Sequence, residues 1–193
     1  MPTFTLGGKT LATQTGTNEP VLGSNVLFNP SRHILKIEQT VKRNRWVGAG
    51  NTNEQLITDL NCSITPDFAN SKILVSYNFD TSAGATLTAF AYMERDIAGA
   101  GWAKLSAMMG ESNGVNNSEA ISHAGIYANW MLNNHSRMFL DTPSYTLGQT
   151  ISYRIGCRTE NTSYPIYVGS TQRDSTQFHP RTSSIITLME VAE

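Results

Sequence analysis

The residues able to do chemistry are scattered along this 193-residue chain, and their spacing rules out more than it suggests. His33, His123, His135 and His179 stand far apart, with no pair at metal-ligand spacing and no cysteine close enough in sequence to join them. A serine hydrolase needs its nucleophile on a strained turn, and no Gly-x-Ser-x-Gly occurs. Asp80, Glu94, Asp96, Glu111, Glu119 and Asp141 are the carboxylates from which a glycosidase pair would be drawn, but sequence fixes no distance between them. Gly7-Gly-Lys-Thr10 matches the end of a phosphate-binding loop. Thr3 stands where that pattern requires glycine, and no strand-to-helix context surrounds it. The chain therefore reads as non-enzymatic, with no catalytic residue, no metal and no cofactor expected.

Two stretches suit binding better than catalysis. Lys42-Arg-Asn-Arg-Trp-Val47 sets three cations beside a tryptophan, a combination that holds a phosphate backbone and stacks a base. A net charge of −1 gives it no supporting field, so neither nucleic acid nor an anionic membrane is an expected partner. In Ile97–Asn117, Gly99, Gly101, Gly110 and Gly114 flank Trp102, Leu105, Met108 and Met109. Long loops that keep large apolar side chains bind something or pack at an interface, so Trp102, Met108 and Met109 are the candidate recognition residues. Trp102 and Trp130, with the Asn-rich loops, also suit a carbohydrate-binding sandwich, although Trp130 sits in strand-like alternation and is expected in the core.

The elements that must position these residues are strands. Hydrophobic residues make up 39% of the chain and charged residues only 15%, against about 25% in an average globular domain. The polar remainder is rich in Thr, Ser, Asn and Gly, which suit pleated surfaces and turns better than solvated helices. Leu56, Thr58, Leu60, Cys62 and Ile64 alternate with polar residues, and Ile73, Val75, Tyr77 and Phe79 resume the alternation after Pro66–Asn70. That pattern predicts an antiparallel strand pair with one buried face. His33–Lys42, Thr150–Arg158, Ser163–Gly169 and Ser183–Val191 alternate likewise. Ala85–Arg95 is apolar on both faces, as expected of a strand lying in the core and in a subunit contact. Ile121–Leu132 and Ser136–Leu140 read as a hairpin through Asn133-Asn134. The fold class is all-β: an antiparallel β-sandwich or jelly roll of about eight strands with an extended N-terminal arm.

Residues 1–30 form that arm and 31–193 the sandwich domain. Phe4, Leu6, Leu11, Val21 and Leu22 are spaced apolar residues too few to make a core. They fit either an arm anchored in grooves of another chain or a pair of short edge strands on the domain. Cys62 and Cys157 fall on apolar faces and read most simply as buried free thiols, with a disulfide between facing strands as the other reading. No run approaches 18 apolar residues and no basic-then-apolar leader occurs, so membrane insertion is not expected and synthesis in a cytoplasm is.

Four passages resemble a β domain of bacteriophage tail-fibre and other virion proteins, especially of marine and cyanobacterial phages. They are Phe28-Asn-Pro-Ser-Arg-His-Ile-Leu-Lys-Ile-Glu-Gln-Thr-Val41, Ser63-Ile-Thr-Pro-Asp-Phe-Ala-Asn-Ser-Lys-Ile-Leu-Val75, Asp141-Thr-Pro143 and Ser184-Ile-Ile-Thr-Leu-Met-Glu-Val191. The resemblance implies an all-β homotrimer displayed on the virion, often at a fibre tip, with partners among other virion proteins and a host-surface glycan or protein. This chain lacks a fibre's long shaft, which raises a short tail fibre, a knob or a trimeric capsid-decorating (cement) protein as alternatives.

Overall fold

A computed structural model describes residues 3–6, 9–13, 21–22, 33–50, 52–84, 87–110, 120–126, 128–160, 162–174 and 181–192, the side chains before residue 33 and that of His123 excepted. The chain divides into two compact units, Met1–Ser31 and Arg32–Glu193. In the first, β1 (Thr3–Leu6), β2 (Lys9–Thr13) and β3 (Val21–Leu22) make an antiparallel sheet in that order. The backbone of the expected arm thus pairs with itself, which satisfies N–H and C=O groups that an extended segment leaves open. Phe4, Leu6, Leu11, Val21 and Leu22 all fall in these strands, and their side chains lie outside the described set.

The second unit is a jelly roll. Its eight main strands, in chain order, are β4 (Ile34–Lys42), β6 (Gln55–Ile64), β7 (Lys72–Ala83), β8 (Leu87–Ile97), β10 (Ser122–Ile126), β11 (Asn133–Asp141), β12 (Ile151–Thr159) and β14 (Ser184–Val191). One sheet runs β4-β14-β7-β11 and the other β6-β12-β8-β10, all antiparallel. In the order of these eight, that is first-eighth-third-sixth facing second-seventh-fourth-fifth, the double Greek key of a jelly roll. Short strands extend the sheets: β5 (Trp46–Gly48) and β13 (Ile166–Val168) continue the first beside β7, and β9 (Ala103–Lys104) pairs with β8. The described residues contain no α-helix, only a 3₁₀ turn at Ser106–Met108.

Alternation places one face of each sheet in a shared core. Leu60, Cys62 and Ile64 of β6, Ala89, Ala91 and Met93 of β8, and Ile151, Tyr153, Ile155 and Cys157 of β12 meet Ile73, Val75, Tyr77 and Phe79 of β7 and Ile186 and Leu188 of β14. Both cysteines are buried free thiols. They lie in neighbouring strands, but Cys62 sits opposite Tyr153 and Cys157 opposite Gln55, so no disulfide forms.

Four local expectations change. The strands around Pro66–Asn70 do not pair side by side: β6 and β7 belong to opposite sheets, and their apolar faces pack against each other across the core. The connection crosses the sandwich because seven residues, 65–71, separate the strands where a hairpin needs only two to five. The alternation of β6 also breaks. Asp59 has a left-handed φ of 63° and pairing with β12 slips nearby, so Ile57 is buried while Leu56 and Thr58 face out. β10 and β11 form no hairpin, since β10 pairs with β8 and β11 with β7. Between them the chain turns at Ala128–Met131, with the Met131 amide donating to the Ala128 carbonyl at 3.1 Å, and Trp130 on that turn is 54% exposed. Finally, the second apolar face of β8 is covered by this chain itself. Tyr92 is buried against the bare Cα of Gly156, and Arg158 lies 4.4 Å from the Phe90 ring centroid.

Candidate functional site: a cleft where the two sheets meet

The sheets approach each other along two sides of the roll. On one, β4 and β6 run close, and burial raises the Cys62 thiol above its ordinary value, an effect Thr40 of β4 partly counters. On the other, β10 and β11 meet through a buried polar chain. Tyr77 donates its phenol hydrogen to Ser122 Oγ at 3.2 Å, Ser122 Oγ lies 3.0 Å from His135 Nδ1, and His135 Nε2 lies 3.0 Å from Thr81 Oγ1. The His135 ring stacks on Phe79 at 4.8 Å with only 6° between planes. Burial raises the Tyr77 phenol above its usual value, partly countered by the Ser122 bond, so this chain is one of neutral hydroxyls.

Beside this seam a cleft of about 550 Å³ opens at the edge of β8, in the gap left between β9 and β10. Its walls are Phe90, Met108, Met109 and Ile121, and Ser122 and Arg137 supply its polar atoms. Two backbone bonds shape it: the Leu105 amide donates to Met93 at 3.1 Å and the Ile121 amide to Ala91 at 2.9 Å, tying the loop to the β8 edge at both ends. Arg137 stands opposite Tyr77 in the β11–β7 register, on the core-facing side of an edge strand. It is exposed at the cleft mouth and forms no hydrogen bond or ion pair with the described residues.

Of the expected recognition residues, the structure brings Met108 and Met109 together in this cleft and leaves Trp102 elsewhere. Trp102 lies over β12, with the Arg154 guanidinium 4.0 Å from its ring centroid and bonded to Glu94 Oε2 at 2.6 Å. A ring covered by a guanidinium has one face less for a sugar. The Lys42–Val47 cluster is dispersed: buried Lys42 donates to Asn44, Arg45 pairs with Asp174 at 2.5 Å, and Trp46 packs on the core. Asp174, held also by Arg181, is kept below the usual carboxylate range by those hydrogen bonds.

Each described carboxylate among the glycosidase candidates has structural work. Asp141 on β11 accepts from Arg95 of β8 at 2.6 Å and from the Tyr153 phenol of β12 at 2.7 Å, bridging the sheets. Burial, then the Asp141 charge, push that phenol's ionisation far up. Asp96 caps its loop by accepting from the Gly99 and Gly101 amides at 3.0 and 2.7 Å. Glu94 holds Arg154, and Asp80 accepts from Asn134 at 2.9 Å. Glu111, Glu119 and His179 lie outside the described residues. No group of three His, Cys, Asp or Glu side chains able to hold a metal occurs among the described residues. Sequence reasoning missed Phe90, Ser122 and Arg137, because registers between distant strands, Ser122 opposite Ala91 and Arg137 opposite Tyr77, bring them to the cleft; an arginine on the inward parity of an apolar strand was the one available signal.

No protein-family model matches this chain, and no curated protein matches it. Among solved structures, a chain described as "Structure of infectious bursal disease virus Gx strain" aligns with 94% of this chain at 9% identity and a TM-score of 0.39. This chain spans 41% of that one's length.

Proposed function

We propose that the chain is a non-enzymatic structural protein of a phage virion, a short tail fibre or fibre-tip domain in host attachment, which self-associates as a homotrimer. The phage assignment and the trimer rest on the resemblance of four passages to tail-fibre β domains, and the jelly-roll order suits it, since that fold recurs in viral shells. The observation that carries self-association is the outer face of the β4-β14-β7-β11 sheet. Cross-strand register aligns Ile37, Met189, Leu74 and Leu140 in one apolar row, with Met138 in the next and Val41 and Ile185 in the one after. Ile37 is 58% exposed and Met138 64%. A monomer rarely leaves such a band open, and methionine and aliphatic side chains are what fill an interface core. This face takes over the subunit contact that sequence reasoning placed on β8, whose outer side the chain covers itself.

The test is the mass of the full chain by light scattering, beside Ile37→Asp and Met138→Asp. The wild type is expected as a trimer at about 10 µM and the variants as folded monomers, since a charge at an exposed position costs the isolated fold about 0.5 kcal/mol or less. A wild-type monomer, or variants of unchanged mass, refutes the interface. Detection in purified virions tests the location. Blocking of host adsorption by the purified chain supports attachment, whereas rebinding to stripped heads favours the decorating role.

A further inference from the structure

The cleft between Met108, Met109 and Arg137 is built to take one kind of small molecule. Among the described residues, few of its hydrogen-bonding groups are uncommitted. The Ile121 amide is committed to Ala91 and the Gly110 amide to Ala120 at 3.2 Å. Ser122 Oγ accepts from Tyr77 and is bonded to His135, leaving it at most one hydrogen-bonding position. Arg137 remains, with all five N–H donors facing no described acceptor. A sugar needs many polar partners and would leave most of its hydroxyls unpaired against Phe90, Met108, Met109 and Ile121. A phosphate dianion would find one cation where such sites gather several donors.

We infer that the cleft binds a small organic monocarboxylate with an aromatic or compact apolar body, its carboxylate on Arg137 and its body between the methionines and Phe90. The guanidinium fork matches a carboxylate in geometry as well as charge, and thioether sulfur packs favourably on aromatic rings. The cleft's size falls in the range of about 300–1,000 Å³ usual for small-ligand sites. An inward-pointing cation also protects an edge strand from pairing with another chain. That role alone requires no selectivity among ligands, and the experiment uses this difference.

The full chain is titrated with 3-phenylpropionate and, separately, with its neutral amide, following methyl resonances of the methionines by NMR. Saturable binding is expected for the carboxylate, at least tenfold weaker for the amide and at least tenfold weaker in Arg137→Gln, with the Met108 and Met109 signals moving most. Arg137 is exposed and has no partner among the described residues, so Arg137→Gln is expected to melt like the wild type, which a melting curve checks; Arg137→Lys tests the fork by keeping the charge. No saturation below about 10 mM, the weak end of fragment affinities, equal affinity for acid and amide, or unchanged binding by Arg137→Gln each overturns the proposal. The outcome is independent of the chain's place on a virion.

Discussion

Removing the carboxylate of Glu190 should loosen the roll at the connection between its sheets, and the structure allows the loss to be worked out. Glu190 lies on β14 and is fully buried. Its oxygens accept from the Asp67 amide at 2.9 and 3.1 Å, the Phe68 amide at 3.0 Å and the Ser71 hydroxyl at 2.8 Å. The same connection is held from outside by Tyr145, whose phenol donates to the Phe68 carbonyl at 2.6 Å, and by Lys36, which donates to the Thr65 carbonyl at 2.9 Å. In Glu190→Ala the two amides, on exposed residues, regain water and lose about 1 kcal/mol each, while the buried Ser71 hydroxyl is stranded at up to ~3 kcal/mol. The sum is about 3–5 kcal/mol, which for a domain of this size lowers the melting temperature by roughly 6–20 °C. Glu190→Gln keeps the shape and one acceptor oxygen but turns an N–H toward a donor, so it should lose about 1.5–3 kcal/mol. Thermal and urea unfolding followed by circular dichroism give both values, and limited proteolysis should cut the variants within 65–71. If Glu190→Ala stays within about 1 kcal/mol of wild type, or Glu190→Gln equals it, the carboxylate does not hold the connection.

Two further outcomes follow from packing and burial. A methyl group at Gly156 would overlap the Tyr92 ring, so Gly156→Ala should cost about 1–3 kcal/mol by urea melts, and pairing it with Tyr92→Ala should give less than the sum of the two. Cys157 is buried without an anionic partner, and burial pushes its thiol far up. The unfolded chain then ionises first, so stability holds below about pH 8.5 and falls above it, by up to ~1.4 kcal/mol per pH unit for this thiol. Unfolding measured from pH 7 to 10 should show that fall, with a shallower slope in Cys157→Ala.

Strands were legible wherever one face is buried and one wet. The alternating residues of β7 and β12 mark such elements, whereas β4 alternates with Ile37 and Val41 turned outward and β8 and β14 carry apolar residues toward both sides. What alternation cannot show is which strands become neighbours. The passage around Pro66 looks the same whether the chain doubles back in one sheet or steps into the other, because either arrangement buries Ile64 and Ile73. The length of the connection favours the crossing, and the buried Glu190, more than a hundred positions away, holds it by binding the Asp67 and Phe68 amides. The Asp59 bulge was hidden for the same reason: Leu56 and Ile57 are equally apolar, and the slip against β12 decides which one turns inward. At the cleft, Met108 and Met109 were visible as apolar residues kept in a glycine-flanked loop, whereas Trp102 looked alike and went elsewhere once Arg154 offered its guanidinium.

The position of β14 bears on when the roll can form at all. It lies between β4 and β7 in the middle of its sheet, paired along both edges, yet it is the last of these strands to be synthesised. A nascent chain that has emerged as far as β13 has β4 without its neighbour, β7 with an open edge, and the Asp67 and Phe68 amides without their carboxylate. Such a chain pays loop-closure entropy across some 150 residues before its central ladder closes, the arrangement that makes folding slow and leaves strand edges exposed meanwhile. Cotranslational folding would therefore be expected to stall until Val191 clears the ribosome, and chains stopped before β14 would be the ones that aggregate.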